Sequence, residues 1–192
     1  MRIGILAIQG DFAEHIVMLK HFGVETVEVR LPGHLEGLDG LIIPGGESTT
    51  IGKLSMDFGL IDPLREFGES HAIWGTCAGA IFLSRDARRS QPLLGIMDIT
   101  VERNAFGRQV DSFEADLDIE PLKRATGSTA AYHAIFIRAP IIESVHGDAE
   151  VISQLPDGRI VAVRQGRLLA TSFHPELTLD VRFHQYFLSL IE

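Results

Sequence analysis

Cysteine is nearly absent from this 192-residue chain: Cys77 is the only one. No internal disulfide framework can form, and a lone thiol that has to stay reduced suits the cytosol. Positive charge is sparse as well, with 17 Lys plus Arg against 26 Asp plus Glu, a formal charge of −9 and no basic run. That balance argues against nucleic acid as a partner, because a phosphate backbone is bound by clustered cations. Long apolar runs are missing too. The opening residues 1–8 stop at Gln9-Gly10-Asp11, too short for a membrane span or a secretory signal, so no membrane partner is expected and the run reads as a first strand. The eight histidines show no His-Glu-x-x-His spacing, and Cys77 has no second thiol beside it. Neither a metal nor another cofactor is expected. Repeats, low-complexity stretches and interdomain linkers are also lacking. With 45% hydrophobic and 22% charged residues, residues 1–192 are expected to form one domain.

What is present is an alternation of strand and helix patterns. Residues 2–8 are continuously apolar, the mark of a strand covered on both faces. Asp11 is placed to cap a helix running to Phe22, with Glu14 three residues on and Gly23 as its stop. Strands are predicted over 24–30, 38–43 and 72–75, the last preceded by a helix over 63–70. The middle, from about 98 to 140, reads as strands and loops, with strands over 99–102, 112–117 and 135–138. Further strands follow over 151–152, 160–163 and 168–173, two of them joined by a turn at Gln165-Gly166. A last helix over 179–191 carries Leu179, Phe183, Phe187 and Leu190 on one face, which reads as core. The pattern is that of an α/β protein with an open, mainly parallel sheet flanked by helices and an added mixed β segment.

The chemistry gathers around the lone thiol. Gly75-Thr76-Cys77-Ala78-Gly79 follows an apolar strand and leads into a small-residue helical stretch, the pattern of a nucleophile elbow. The flanking glycines are needed there because the turn leaves no space for side chains. The helix start beneath the sulfur favours a thiolate. A buried structural cysteine is the plainer reading of the pentad alone. His174-Pro175-Glu176 ends another strand, so a base and a carboxylate to orient it stand two residues apart. A third feature, Pro44-Gly45-Gly46-Glu47-Ser48-Thr49-Thr50, ends the 38–43 strand. In open α/β sheets ligands bind beyond the carboxyl ends of the strands, where all three features would emerge. Gly46 could bring a backbone N–H to a developing oxyanion. A plain turn remains open, whereas a phosphate loop is disfavoured by the missing Gly-Lys-Ser/Thr signature and by the charge of Glu47.

The elbow, the Pro44–Thr50 loop and the His-x-Glu terminus resemble the triad-type class I glutamine amidotransferases. More narrowly, Leu6-Ala7-Ile8-Gln9-Gly10, the block from Val101-Glu102-Arg103 to Phe113, and Phe136-Ile137-Arg138-Ala139-Pro140 are similar to the glutaminase subunits of pyridoxal 5′-phosphate synthase. The likeness spans nearly the whole chain and departs from the family at 123–134, which is longer and richer in Ala, Thr and Ser. The resemblance implies a flavodoxin-like fold and hydrolysis of L-glutamine to L-glutamate and ammonia through a cysteine thioester. The ammonia would supply a pyridoxal 5′-phosphate synthase subunit in a hetro-oligomeric complex for vitamin B6 synthesis. It further implies Cys77 as nucleophile, His174 as base and Glu176 as its orienter, with N–H groups of Gly46 and Ala78 in the oxyanion hole. Gly46, Glu47, Ser48, Arg103, Ile137 and Arg138 would contact glutamine. An α-carboxylate wants a guanidinium fork, which Arg103 or Arg138 could provide. Gln9 and Gly10 are the candidates for sensing the partner. Two rivals use the same residues otherwise: a stand-alone hydrolase or peptidase acting on another acyl substrate, and a regulatory module with Cys77 as a redox sensor. The sensor would not require Glu176.

Overall fold

The computed structural model describes residues 1–103 and 112–191; residues 104–111 of the Val101–Phe113 block therefore lie outside the described part. Twelve strands occur among the described residues: β1 Arg2–Leu6, β2 Glu25–Val29, β3 Gly40–Ile43, β4 Ala72–Thr76, β5 Ser84–Asp86, β6 Met97–Glu102, β7 Ser112–Leu117, β8 Tyr132–Ile137, β9 Ile141–Val145, β10 Glu150–Gln154, β11 Ile160–Gln165 and β12 Leu168–Thr171. Six α-helices accompany them: α1 Phe12–Leu19, α2 Ser48–Asp57, α3 Ile61–Ser70, α4 Ala78–Leu83, α5 Glu120–Thr126 and α6 Arg182–Ser189. The main sheet runs β2-β1-β3-β4-β12-β11-β9-β6-β5, with β10 paired to β11, and β7-β8 form a separate ribbon.

The first five strands of that order are mutually parallel, and their sequences show why. β3, β4 and β12 are buried at every position, so both faces need apolar cover and alternation disappears. Successive side chains then feed two separate cores. Leu41 and Ile43 pack on one face against α2, α3 and α4, with Ile51, Leu64, Phe67 and Phe82. Ile42 and Trp74 pack on the other, with Leu19 of α1, Leu122 of α5, Phe183 and Phe187 of α6, and Tyr132 and Phe136 of the ribbon. Trp74 is fully buried beside the Phe187 ring, 5.7 Å between centroids, and its indole N–H donates to Thr171 Oγ1 at 3.1 Å. Beyond β12 the pairing turns antiparallel through β11 and β9, which is the mixed segment expected from the sequence.

Several boundaries differ from the sequence reading. β1 ends at Leu6, so Gln9 and Gly10 belong to the following loop rather than to the strand. The first helix ends at Leu19 and continues as a 3-10 turn to Phe22, stopped by Gly23 at φ 65°. Asp11 makes no side-chain capping bond to it. The stretch read as strands and loops contains α5, opened by Pro121 in its first turn and closed by Gly127 at φ 71°, and β9 follows Pro140. Residues 128–131 of the divergent segment are tied down by Arg182, which donates to Ala130 O at 2.7 Å and Ala131 O at 2.9 Å. Leu179 is not core: α6 begins three residues later and Leu179 is fully exposed.

Candidate active site

Because β1, β3, β4 and β12 are parallel neighbours, their carboxyl ends share one edge, and the loops beyond them meet there. The loop after β1 carries Gln9, Gly10 and Asp11; that after β3 carries Gly45, Gly46 and Glu47; β4 is followed by Cys77 and β12 by His174. Cys77 is held at φ 47°, ψ −103°, a left-handed conformation that a non-glycine residue adopts only when its surroundings impose it. Its N–H donates to Thr171 O at 2.8 Å, so the elbow is pinned to β12. Gly79 explains the end of the pentad: a Cβ there would overlap the carbonyl oxygen of Ile43.

His174 and Glu176 are 5% exposed and Cys77 7%, so water is largely excluded from all three. His174 Nδ1 lies 2.6 Å from Glu176 Oε1, and the Cys77 thiol is close enough to the ring to act on its pKa. Burial pushes the imidazole towards neutrality, yet the thiol and the bond to Glu176 outweigh that and raise its pKa to about 10. Burial raises the pKa of Glu176, while its bond to His174 opposes the rise. The His174 N–H donates to Ile135 O at 2.8 Å, joining the base to β8.

A cavity of about 500 Å³ opens over the sulfur, a size suited to a small metabolite. Every residue singled out from the sequence lines it except Glu176, which stands behind His174: Gln9, Gly10, Gly46, Glu47, Ser48, Ala78, Arg103, Ile137 and Arg138 all face it. The loop that carries Gly45, Gly46 and Glu47 is tied on both sides. Gly45 O accepts from Asp11 N at 3.1 Å, and Glu47 N donates to Gln9 Oε1 at 2.8 Å. Gly10, at φ 102°, is required for this approach, since a Cβ on it would collide with the Gly45 carbonyl. Arg103 Nη1 pairs with Glu47 Oε1 at 2.8 Å. Glu47 also caps α2, accepting from the Thr50 N–H and hydroxyl, both at 2.8 Å. Arg138, at φ 42°, turns into the cavity edge just past β8.

Two groups around the triad escaped the sequence reading. The Asp11 carboxylate lies 3.8 Å from His174 Nδ1, and burial raises its pKa. One atom each from Asp11, His174 and Glu176 fall within 4.8 Å of one another, but His174 Nδ1 is already bonded to Glu176, which is the arrangement of an oriented base. His15, fully buried on α1, faces the far side of Glu176, with His15 Nε2 3.4 Å from Glu176 Oε2. A histidine on an apolar helix face was the available signal.

Comparison with known proteins agrees with this geometry. The chain is 55% identical over 193 residues to the pyridoxal 5′-phosphate synthase subunit PdxT of Moorella thermoacetica, with both chains covered in full. It is 54% identical over 195 residues to that of Herpetosiphon aurantiacus, covering 99% of this chain and all of the relative. A crystal structure of a glutamine amidotransferase superposes with a TM-score of 0.91 at 51% identity, over 98% of each chain. At 16% identity, PurLQS from Thermotoga maritima shares the fold, with a TM-score of 0.74 over 100% of this chain and 98% of the other. The model of the SNO glutamine amidotransferase family matches residues 5–192, and to that family the chain belongs.

Proposed function

We propose that this protein hydrolyses L-glutamine to L-glutamate and ammonia through a thioester on Cys77, and hands the ammonia to a pyridoxal 5′-phosphate synthase subunit in a hetero-oligomeric complex in the cytosol. The observation that carries the reading is a thiol and an imidazole lining a cavity of about 500 Å³, with a carboxylate hydrogen-bonded to the imidazole from behind. Family membership and the names of the full-length relatives support the substrate and the partner.

In this reading Cys77 Sγ attacks the side-chain amide carbon of glutamine, and His174 takes the thiol proton. The raised proton affinity of the ring lets it keep that proton until the C–N bond breaks, when it delivers it to the leaving ammonia. Water, deprotonated by His174, then cleaves the thioester and releases glutamate. Glu176 holds the ring at Nδ1, so that the opposite nitrogen faces the sulfur. The N–H groups of Ala78 and Gly46 receive the oxyanion; loss of one such donor costs about 2.7–4 kcal/mol in comparable sites. Glu47, Ser48, Arg103, Ile137 and Arg138 form the walls that hold the amino acid end of glutamine. Since Glu47 already neutralises part of the Arg103 charge, Arg138 is the better placed fork for the α-carboxylate. Gln9 and Gly10 sense the partner, a role supported by the bond from Gln9 to the oxyanion loop.

Ammonia release from glutamine, simple amides and peptides tests this. Wild-type protein should release ammonia from glutamine, and Cys77→Ala should lose that activity while keeping its fold. More than trace release by folded Cys77→Ala protein would remove Cys77 from the mechanism; preference for peptides would favour another acyl substrate.

A further inference from the structure

Behind the triad lies a second line of hydrogen-bonding groups that the chemistry above does not use. His15 Nδ1 stands 2.9 Å from His184 Nε2, and His15 Nε2 stands 3.3 Å from Thr76 Oγ1 and 3.4 Å from Glu176 Oε2. Both histidines are fully buried. Glu176 Oε2 has no hydrogen-bond partner among the described residues, although His15 Nε2 lies within 3.4 Å of it. A buried carboxylate oxygen needs a donor, and His15 is the group facing it.

We propose that His15 is a positioning residue: its Nε2–H donates to Glu176 Oε2 and fixes the carboxylate that orients His174, while His184 sets the tautomer of His15. The inference rests on the reading of Glu176 as the orienter. Hydrogen-bond bookkeeping selects this arrangement. Burial, with the neighbouring His184 and His174 rings, pushes the pKa of His15 well down, and burial with His21 brings that of His184 to about 3. Each ring is therefore neutral and carries one proton. If His184 Nε2–H donates to His15 Nδ1, then His15 Nε2–H points between Thr76 Oγ1 and Glu176 Oε2 as a donor to both, and the one unpaired atom is the bare His184 Nδ1, which has no partner among the described residues. In the reverse polarity the Thr76 hydroxyl could donate to His15 Nε2, but Glu176 Oε2 would be left without a donor and His184 would bury an unpaired Nδ1–H. The remaining two options set two protons or two lone pairs against each other across 2.9 Å.

The consequence for the reaction follows from what surrounds Glu176. His174 faces one oxygen; His15 from α1 faces the other, backed by His184 from α6. Asp11 from the loop before α1 adds negative charge that raises the Glu176 pKa, as burial does, and Cys77 lies beyond His174. Tyr132 from β8 keeps its proton, because burial raises its pKa. Without the His15 donor, burial and Asp11 would draw Glu176 towards its protonated form, and the low-pH limb of activity would move to higher pH.

Steady-state glutamine hydrolysis across pH, measured with the synthase subunit present, compares His15→Leu, His15→Gln and Glu176→Gln. His15→Gln keeps an N–H near the Nε2 position. His15→Leu should lower kcat about 10- to 100-fold, the effect of losing a hydrogen bond to a charged group, with little change in KM and an acid limb at higher pH. His15→Gln should recover most of the rate and the wild-type profile. Equal impairment of both His15 variants, or a wild-type rate and profile in His15→Leu, overturns the proposal. If Glu176→Gln is slow while His15→Leu is not, only the role of His15 falls; if Glu176→Gln matches wild type, the orienter reading falls and His15 with it. Imidazole nitrogen-15 shifts of the wild-type protein decide the matter even where a variant does not fold. His15 should be the Nε2–H tautomer, and an Nδ1–H tautomer overturns the proposal.

Discussion

Substitution should separate the base from its orienter. His174→Ala removes the imidazole beside the thiol and should abolish acylation almost completely. Glu176→Gln should retain a weaker activity, because an amide can still hold the ring at Nδ1 but stabilises its cation poorly. Single-turnover acylation rates are the measurement. A wild-type rate in Glu176→Gln would assign orientation to another carboxylate, and Asp11, 3.8 Å from the same nitrogen, would be next in line. The contrast between Glu176 and Asp11 shows what was legible at this scale. Glu176 sits two residues from His174, so local spacing exposes the pair. Asp11 reaches the ring only because the loops after β1 and β12 meet at the same sheet edge, and in the sequence an acid before a helix looks like a cap whether or not it makes that bond. His15 was hidden for the same reason: its partner lies on a distant segment.

At the scale of elements, the start of α2 couples helix stability to the substrate wall. Burial alone would raise the pKa of Glu47, but the bonds from the Thr50 hydroxyl and N–H and from Thr49 bring it down to about 2. The folded value lies below the ordinary 4.5, so the contribution to stability is full above pH 4.5 and is lost as pH falls through about 2. The side chain is 40% exposed, and solvent screening keeps the effect small. Wild type should therefore be more stable than Glu47→Gln near neutrality, and their urea midpoints should converge towards pH 2. Parallel midpoint curves over that range would contradict the assignment. Strand existence was the most legible element property, because β3, β4 and β12 are apolar without interruption. Short helices were the least. α5 has seven residues, and its hold comes from Leu122 in the core shared with α6 rather than from its own periodicity. Leu179 fitted the apolar spacing of the last helix, but α6 begins at Arg182, whose N–H donates to Asp180 Oδ1.

For the whole molecule, the proposed sensing of a partner by Gln9 would act through its bond to the backbone of Glu47, next to Gly46. Ammonia freed without an acceptor diffuses away, so a glutaminase that feeds a synthase gains by turning over fast only in the complex. Adding the synthase subunit should raise glutamine turnover substantially, and Gln9→Ala, which deletes the acceptor for Glu47 N, should blunt that rise more than it lowers the basal rate. Equal turnover with and without the synthase, while sedimentation shows the complex, would refute this control. The bond from Cys77 N to Thr171 O at 2.8 Å has a different consequence. Cys77 follows β4 directly and His174 follows β12 by three residues, so both leave neighbouring paired strands that lie about 4.8 Å apart. The sheet is thus the frame that brings thiol and imidazole to one edge. That same frame recurs in PurLQS from Thermotoga maritima at only 16% identity. A substitution that loosens the pairing of β4 with β12 should therefore shift thiol and imidazole relative to one another without touching either side chain.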